Sequence, residues 1–221
     1  MLDPFRPVIG IIGGTGDLGS GLAKAWGAAG HKVIIGSRSR EKAEKAAAAL
    51  GEAVSGDDNV GAARAADVVV LAVPFASHDQ TIEEIKGVVG GKIVVDTAVP
   101  LVPPKVSTVQ LPSGGSAAQI AQRLLGSEVR VVSAFHNVSA AKLHAGGRVD
   151  CDVLVFSDDK AARNLVIGLA GEVARRGVGG GGLANSAAAE AMTSVLIWIN
   201  RQYKTRAAGI GITGLETAGP T

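Results

Sequence analysis

Residues 8–42 read VIGIIGGTGDLGSGLAKAWGAAGHKVIIGSRSREK. An apolar run over residues 8–12 gives way to glycines. A helical pattern then runs over residues 18–29 and stops at Gly30, a usual helix C-terminal residue. A second apolar run covers residues 33–35. Gly14, Gly16 and Gly19 fit the spacing G-x-G-x-x-G between a strand and a helix. In that setting the first glycine permits a tight turn, the second lets the backbone approach a pyrophosphate, and the third allows close helix packing. Asp17 and Leu18 open the helix, whose free amides and positive end favour phosphate. The stretch therefore predicts a strand, a phosphate turn, a helix and a strand: the first unit of a dinucleotide-binding sheet.

The end of the second strand bears on which dinucleotide. A nicotinamide dinucleotide without a 2′-phosphate is met by an acid about 20 residues beyond the turn. This chain has Ser37 and Arg38 there, followed by Ser39, Arg40, Glu41 and Lys42. A carboxylate would repel a 2′-phosphate, whereas a serine hydroxyl can hydrogen-bond to it and a planar guanidinium can pair with it. Thr15 in the turn and Lys42 one helical step on complete the expected cradle. NADP is favoured over NAD.

Beyond residue 42 strands and helices continue to alternate. Helices are expected over residues 40–50, 59–65, 82–89, 117–125 and 160–175, and strands over 67–73, 92–96, 129–135 and 153–156. SGDDN at 55–59 reads as a turn and residues 110–115 as loop. Strands this continuously apolar are buried on both faces, so the fold class is α/β, a Rossmann-type doubly wound parallel sheet. At RRGVGGGGLANS the pattern breaks. Residues 1–181 are expected to form the NADP-binding domain and 182–221 a small helical C-terminal region, with Gly179 to Gly182 as a hinge or tight connection.

Composition agrees with this and excludes other classes. The 221 residues are 47% hydrophobic but only 3% aromatic, with 31 glycines, so Ala, Val, Ile and Leu must build the core. A net charge of +2 argues against a nucleic-acid partner. The lone Cys151 offers neither a disulfide nor a metal site and reads as a buried thiol. No secretory signal or membrane-length apolar run is seen, so a cytoplasmic location and no membrane partner are expected.

The remaining candidates are single residues. Val73 and Pro74 follow the most apolar strand, where a nicotinamide ring lies in such folds. Asp67 and Asp96 read as loop caps. His31 and His144 read as surface. His78 and His136 each follow a strand at the ligand-binding edge, His136 in SAFHNVSAA being the stronger, and neither has an obvious carboxylate partner. No serine triad, metal cluster or carboxylate pair stands out, so cofactors must supply the chemistry.

Taken together, GGTGDLGSGLA, VIIGSRSREKA, LAVPF, IVVDTAVPL and SAFHNVSAAKL resemble the NADPH-dependent coenzyme F420 oxidoreductases. LANSAAAEAMTSVLIWIN and GIGITGL extend the resemblance to Leu215. It implies hydride transfer between NADP and a deazaflavin, on a Rossmann-type fold that forms a homodimer or higher homo-oligomer. It supports Thr15, Ser37, Arg38 and Lys42 at the 2′-phosphate and Val73 and Pro74 at the nicotinamide. Ala98 and Val99, His136 to Ala140, and Gly209, Ile210, Gly211 and Ile212 would line the deazaflavin pocket. Small residues such as Gly14, Ala98 and Ala140 would let two planar rings stack. One departure is the glycine run at 179–182, where the family has a more varied, often acidic segment.

Two other readings stay open on the sequence. One is an imine or carbonyl reductase, which needs a proton donor near His136, Tyr203 or Asp96. The other is a non-enzymatic NADPH sensor whose C-terminal helices contact a partner.

Overall fold

The computed structural model describes residues 6–215. Its main sheet has six parallel strands in the order β3-β2-β1-β4-β5-β6. These are β1 (Ile9–Ile12), β2 (Val33–Ser37), β3 (Val54–Asp58), β4 (Val68–Leu71), β5 (Ile93–Asp96) and β6 (Arg130–Ser133). The strand order reverses beside β1, and the crevice at that reversal is where doubly wound sheets bind ligands. The connecting helices are α1 (Asp17–Ala28), α2 (Arg40–Ala48), α3 (Asn59–Ala65), α4 (His78–Ile85) and α5 (Ala117–Leu125).

β4 explains the continuous apolar runs. Val68 and Val70 face one core, with Leu22 and Trp26 of α1, while Val69 and Leu71 face the other, with Ile82 and Ile85 of α4. All eight side chains are essentially buried, each worth about 1.5–3 kcal/mol over exposure for the aliphatic members. Trp26 also meets Phe135 edge-on at 5.4 Å, and its indole N–H donates to the Leu169 carbonyl at 3.0 Å.

After β6 come α6 (Ala140–Ala145), β7 (Val149–Val155), α7 (Lys160–Val173), β8 (Ala174–Gly179) and α8 (Ser186–Gln202). β7 and β8 pair in parallel as a second sheet. One antiparallel bridge, Ser133 to Phe156, joins it to β6.

Two strands correct the sequence reading. The expected turn at 55–59 is mostly β3, and the expected end of the 160–175 helix belongs to β8, because α7 stops at Val173. Each carries a glycine under a helix backbone. A Cβ on Gly56 would come within 2.3 Å of Ala43 C, and one on Gly177 within 2.5 Å of Ile167 O. The glycines that lower strand propensity are what let α2 and α7 lie so close.

The run at 179–182 is a tight connection: Gly180 N donates to Val155 O at 2.8 Å and Ser157 N to Gly181 O at 3.1 Å. The tail at 216–221 lies outside the described residues.

Candidate functional site

The phosphate turn divides its glycines differently from the motif's usual reading. Gly13, with φ at 77°, takes the left-handed turn expected of Gly14. Gly14 instead admits β2: its Cβ would sit 2.5 Å from the Ile35 Cβ, so its smallness serves strand packing and not ring stacking. Gly19 has no room either, since its Cβ would meet Gly14 Cα at 2.8 Å. Gly16 alone of the three motif glycines escapes a collision: the one atom its Cβ would approach is Gly13 O, at a tight 3.3 Å. α1 begins directly after it with no side-chain cap, so the first-turn amides of Asp17, Leu18 and Gly19 lack an intrahelical partner.

A cleft of about 250 Å³ opens there. Its wall brings together Thr15, Gly16, Ser37, Arg38, Val73 and Pro74, six residues singled out in the sequence. Lys42 stands on the first turn of α2, exposed and outside this wall. The cations of the strand end are not equivalent. Arg40 is engaged by Glu44 at 3.0 Å and Asp57 at 3.5 Å, whereas Arg38 has no carboxylate within 4.0 Å among the described residues.

Asn59, at the start of α3, was missed by sequence reasoning. It is 4% exposed, donates from Nδ2 to Glu84 Oε2 at 3.0 Å, and forms part of the cleft wall. Its Oδ1 is a buried acceptor with no hydrogen-bond partner among the described residues. A buried carbonyl oxygen left unpaired costs about 1–3 kcal/mol, which a ligand donor would recover. The signal was an asparagine directly after what is now seen as a strand.

Further along the strand edge, His78 on α4 reaches Asp96 at the end of β5. Nε2 lies 2.8 Å from Asp96 Oδ2 and Nδ1 lies 3.0 Å from Asp79 Oδ1. Burial pulls the imidazole pKa down, but the bonds and charges of Asp96 and Asp79 outweigh it and hold the value up at about 9. His78 therefore has two carboxylate partners where the sequence reading saw none: Asp79 is the next residue, and Asp96 lies 18 residues away. Asp96 Oδ1 also accepts from Ala98 N at 2.9 Å, fixing the strand-end loop as a cap does. Ala98 is 2% exposed, and Val99 is half-buried.

His136 differs in charge. Phe135 before it is buried at φ 68°, a left-handed conformation that costs a bulky residue about 1–3 kcal/mol and turns the chain sharply. His136 Nε2 then sits 3.0 Å from Ser133 Oγ. Burial lowers its pKa to about 4, against the raising effect of Asp96, so the ring is neutral at pH 7. Thr193 Oγ1 of α8 donates to His136 O at 3.1 Å, and Asn137 Nδ2 donates to Ala189 O at 3.2 Å. A recess of about 100 Å³ lies between this loop and α8, walled by His136, Val138, Ser139, Asn200 and Arg206. Ala140 begins α6 just beyond.

Gly209 to Ile212 runs beside β7. Asp152 N donates to Ile210 O at 2.7 Å, and Ile212 N donates to Asp152 Oδ2 at 2.7 Å. Burial would raise the Asp152 pKa, but hydrogen bonds from Arg175, Ile212 N and Arg176 bring it to about 2. The glycine spacing reflects that contact: a Cβ on Gly209 would meet Cys151 Cβ at 2.7 Å, and one on Gly211 would meet Arg175 Nη2 at 2.8 Å. Ala207 and Ala208, just before this segment, line the recess.

Three side chains correct or extend the sequence reading. His31 is 2% exposed and bonded to Glu172 at 2.7 Å, because α7 covers it. His144 is half-buried, with Nε2 3.0 Å from Asp17 O. Glu190 of α8 is buried and caps α5, accepting from Ala117 N at 2.7 Å, and burial pushes its pKa up to about 7. Its sequence signal was a lone acid within an apolar helix. A larger concavity, about 770 Å³ at the outer edge of β6, holds none of the turn residues.

Residues 8–100 match the family model described as NADP oxidoreductase coenzyme F420-dependent. The chain is 41% identical to an F420-dependent NADP reductase of Methanocaldococcus jannaschii, over 94% of this chain and 99% of that protein. It is 40% identical to that of Methanothermobacter thermautotrophicus, over 94% and 95%. A crystal structure of a putative F420-dependent NADP reductase from an Arthrobacter superposes with a TM-score of 0.78 at 26% identity, over 93% of this chain and 98% of that one. A pyrroline-5-carboxylate reductase of Coxiella burnetii, at 22% identity and a TM-score of 0.63, shares the fold. The parallel sheet, the phosphate turn and relatives near 40% identity over almost the whole length make this chain a member of the coenzyme F420-dependent NADP oxidoreductase family.

Proposed function

We propose that this chain transfers a hydride between NADP(H) and the deazaflavin coenzyme F420. The observation that carries the reading is one cleft combining the side-chain-free Gly16, uncapped α1 amides and an uncompensated Arg38. These residues fit NADP. Gly16 leaves room for a pyrophosphate, the α1 amides are donors without acceptors, and the orphaned Asn59 Oδ1 offers an acceptor to a ribose or adenine donor. Ser37 and Arg38 are suited to the 2′-phosphate, with Lys42 adding charge nearby.

When bound, the nicotinamide supplies the hydride and the deazaflavin ring carbon accepts it. The protein's task is to hold the two rings together and exclude water. Val73 and Pro74 support the nicotinamide, and Ala98, Val99, the 136–140 loop, and Gly209 to Ile212 shape the deazaflavin side. Residues 182–221 complete that pocket as a small helical region.

None of the three candidate proton donors of an imine or carbonyl reductase lines the cleft at the phosphate turn. His136 is held neutral, Asp96 is occupied by His78 and Ala98 N, and Tyr203 is 72% exposed at the end of α8. The test is to mix the protein with NADPH and oxidised F420 and follow the deazaflavin absorbance. Bleaching is expected, and an unchanged spectrum overturns the reading.

A homodimer or higher homo-oligomer in a reducing cytoplasm belongs to the same reading. Met192, Val195 and Trp198 are exposed on one helix, at 39%, 40% and 52%. No helix of the described residues is long and apolar enough to cross a membrane. Light scattering on the purified chain tests the assembly.

A further inference from the structure

We infer that His144 is a positioning residue that seats α6 on the first turn of α1 and thereby makes nucleotide and deazaflavin bind cooperatively within one chain. The inference rests on the proposed function and adds to it a physical link between the two substrate sites.

α6 has six residues, too few for a helix to persist on its own hydrogen bonds. Its place is set by what it touches. Ser139 Oγ caps its start, accepting from Lys142 N at 3.4 Å. Its exit offers no support: Gly146 and Gly147 take φ of 87° and 79°, and a Cβ on either would meet nothing within 4 Å. The support is α1. Leu143 is 1% exposed and lies over Gly21, where a Cβ would come within 3.0 Å of the Leu143 Cβ. Lys24 Nζ, one turn further along α1, donates to His144 O at 2.7 Å.

The His144 ring supplies the tie that reaches the phosphate turn. Nε2 lies 3.0 Å from Asp17 O and 3.4 Å from Ser20 Oγ. A carbonyl oxygen only accepts, so Nε2 carries the proton and donates it to Asp17 O. Asp17 O and Leu18 N belong to one peptide group. Leu18 N is among the first-turn amides without an intrahelical partner, and in the proposed reading these amides meet the nucleotide phosphates.

Hydrogen bonds in a chain polarise one another. Donation to a peptide oxygen makes the N–H of that peptide a better donor, and an anion on the N–H makes the oxygen a better acceptor. A phosphate at Leu18 N and the imidazole at Asp17 O therefore strengthen each other. The other end of α6 begins at Ser139, which walls the deazaflavin-side recess. A bound phosphate thus tightens the seat of α6, and a ring entering the recess has less of the Ser139 wall left to order. Linkage makes the effect mutual: bound deazaflavin favours the nucleotide by the same factor.

The test is a fluorescence-anisotropy titration of the full chain with oxidised F420, with and without saturating NADP+; both substrates are oxidised, so no hydride moves. In the wild type NADP+ should tighten F420 on the order of fivefold. His144→Leu keeps the bulk and removes the donor, and the factor should fall to within about twofold of one. His144→Gln restores an N–H at similar reach and should keep most of the tightening. Unchanged melting temperatures would show that the variants fold. Should His144→Leu fold poorly, Lys24→Met on the exposed side of α1 removes only the tie to His144 O and should lower the factor about twofold. A wild-type factor of one overturns the inference, as does equal weakening of F420 with and without NADP+ in His144→Leu, or a factor as low in His144→Gln. In each case bleaching of F420 by NADPH leaves the proposed function standing. If F420 neither binds nor is bleached with the wild type, both fall together.

Discussion

His78 Nε2 lies 2.8 Å from Asp96 Oδ2, and the two side chains are 0% and 1% exposed. This buried pair ties the start of α4 to the end of β5 immediately beside the candidate nicotinamide side of the cleft. The imidazole's folded pKa of about 9 lies above its ordinary 6.5. Its contribution to stability is therefore full below pH 6.5 and is lost as pH rises through about 9. Melting temperature should decline across that window, and His78→Gln should flatten the decline. Asp96→Asn leaves the buried imidazolium only the exposed Asp79 as counter-charge and should cost up to about 3–5 kcal/mol. A wild-type profile as flat as that of His78→Gln would refute the charged pair.

Arg38→Ala should weaken NADPH and leave NADH nearly unchanged. Loss of a charged phosphate bond costs about 1.5–3 kcal/mol, or about 10- to 150-fold. Arg40→Ala is the matched control, because Glu44 and Asp57 already hold that guanidinium. Nucleotide titration of both variants checks the difference; equal losses of NADPH and NADH would make Arg38 structural.

Gly16→Val should abolish binding of either nucleotide without unfolding the chain, since Gly16 lines the cleft and the one atom its new Cβ would approach is Gly13 O at 3.3 Å, tight but short of a collision. Gly14→Ala should instead lower the melting temperature, its methyl colliding with Ile35. Thermal melts and titrations on the same samples separate the two outcomes. Wild-type affinity in Gly16→Val would reduce the turn to a chain reversal.

Asn59→Ala should weaken NADPH and NADH alike, because its unpaired oxygen would serve the part of the ligand common to both. One neutral hydrogen bond corresponds to about 1 kcal/mol, or roughly fivefold. Isothermal titration with the two nucleotides gives the ratio, and a loss confined to NADPH would move Asn59 to the 2′-phosphate.

With stereospecifically deuterated NADPH, label should pass directly to the deazaflavin carbon with none reaching solvent. His136→Ala should slow this step without abolishing it, since the neutral imidazole acts through packing and its contact with Ser133. Mass spectrometry of the reduced deazaflavin and of the water reads the outcome. Deuterium in water, or a loss of many orders of magnitude, would put a side-chain proton transfer in the rate-determining step.

Much of the fold was legible because β1, α1, β2 and β4 are strongly apolar and set off by glycines or charges. β3 and β8 were not, since VSGDD and ARRGVG lack apolar periodicity and carry the glycines that nearby helices require. The turn and the strand-end Ser37 and Arg38 could be read locally. The separation of Arg38 from Arg40 could be read only in part: Glu44 lies four residues on along α2, but Asp57 comes from the neighbouring strand. The partnerships of His31 with Glu172 and of Glu190 with Ala117 span 141 and 73 residues, and no periodicity encodes such distances.

α8 is moored at both ends. Glu190 and Ser186 fasten its start to α5, through Ala117 N and the Ser116 hydroxyl. The segment after it is stitched to β7 at Asp152. A helix held in this way is a standing wall of the recess: a ring seated against it need not wait for a door to swing, and little ordering entropy remains to be lost on association. Binding transients for the deazaflavin should then be single-phase, with an observed rate that rises linearly with ligand concentration and reaches no plateau.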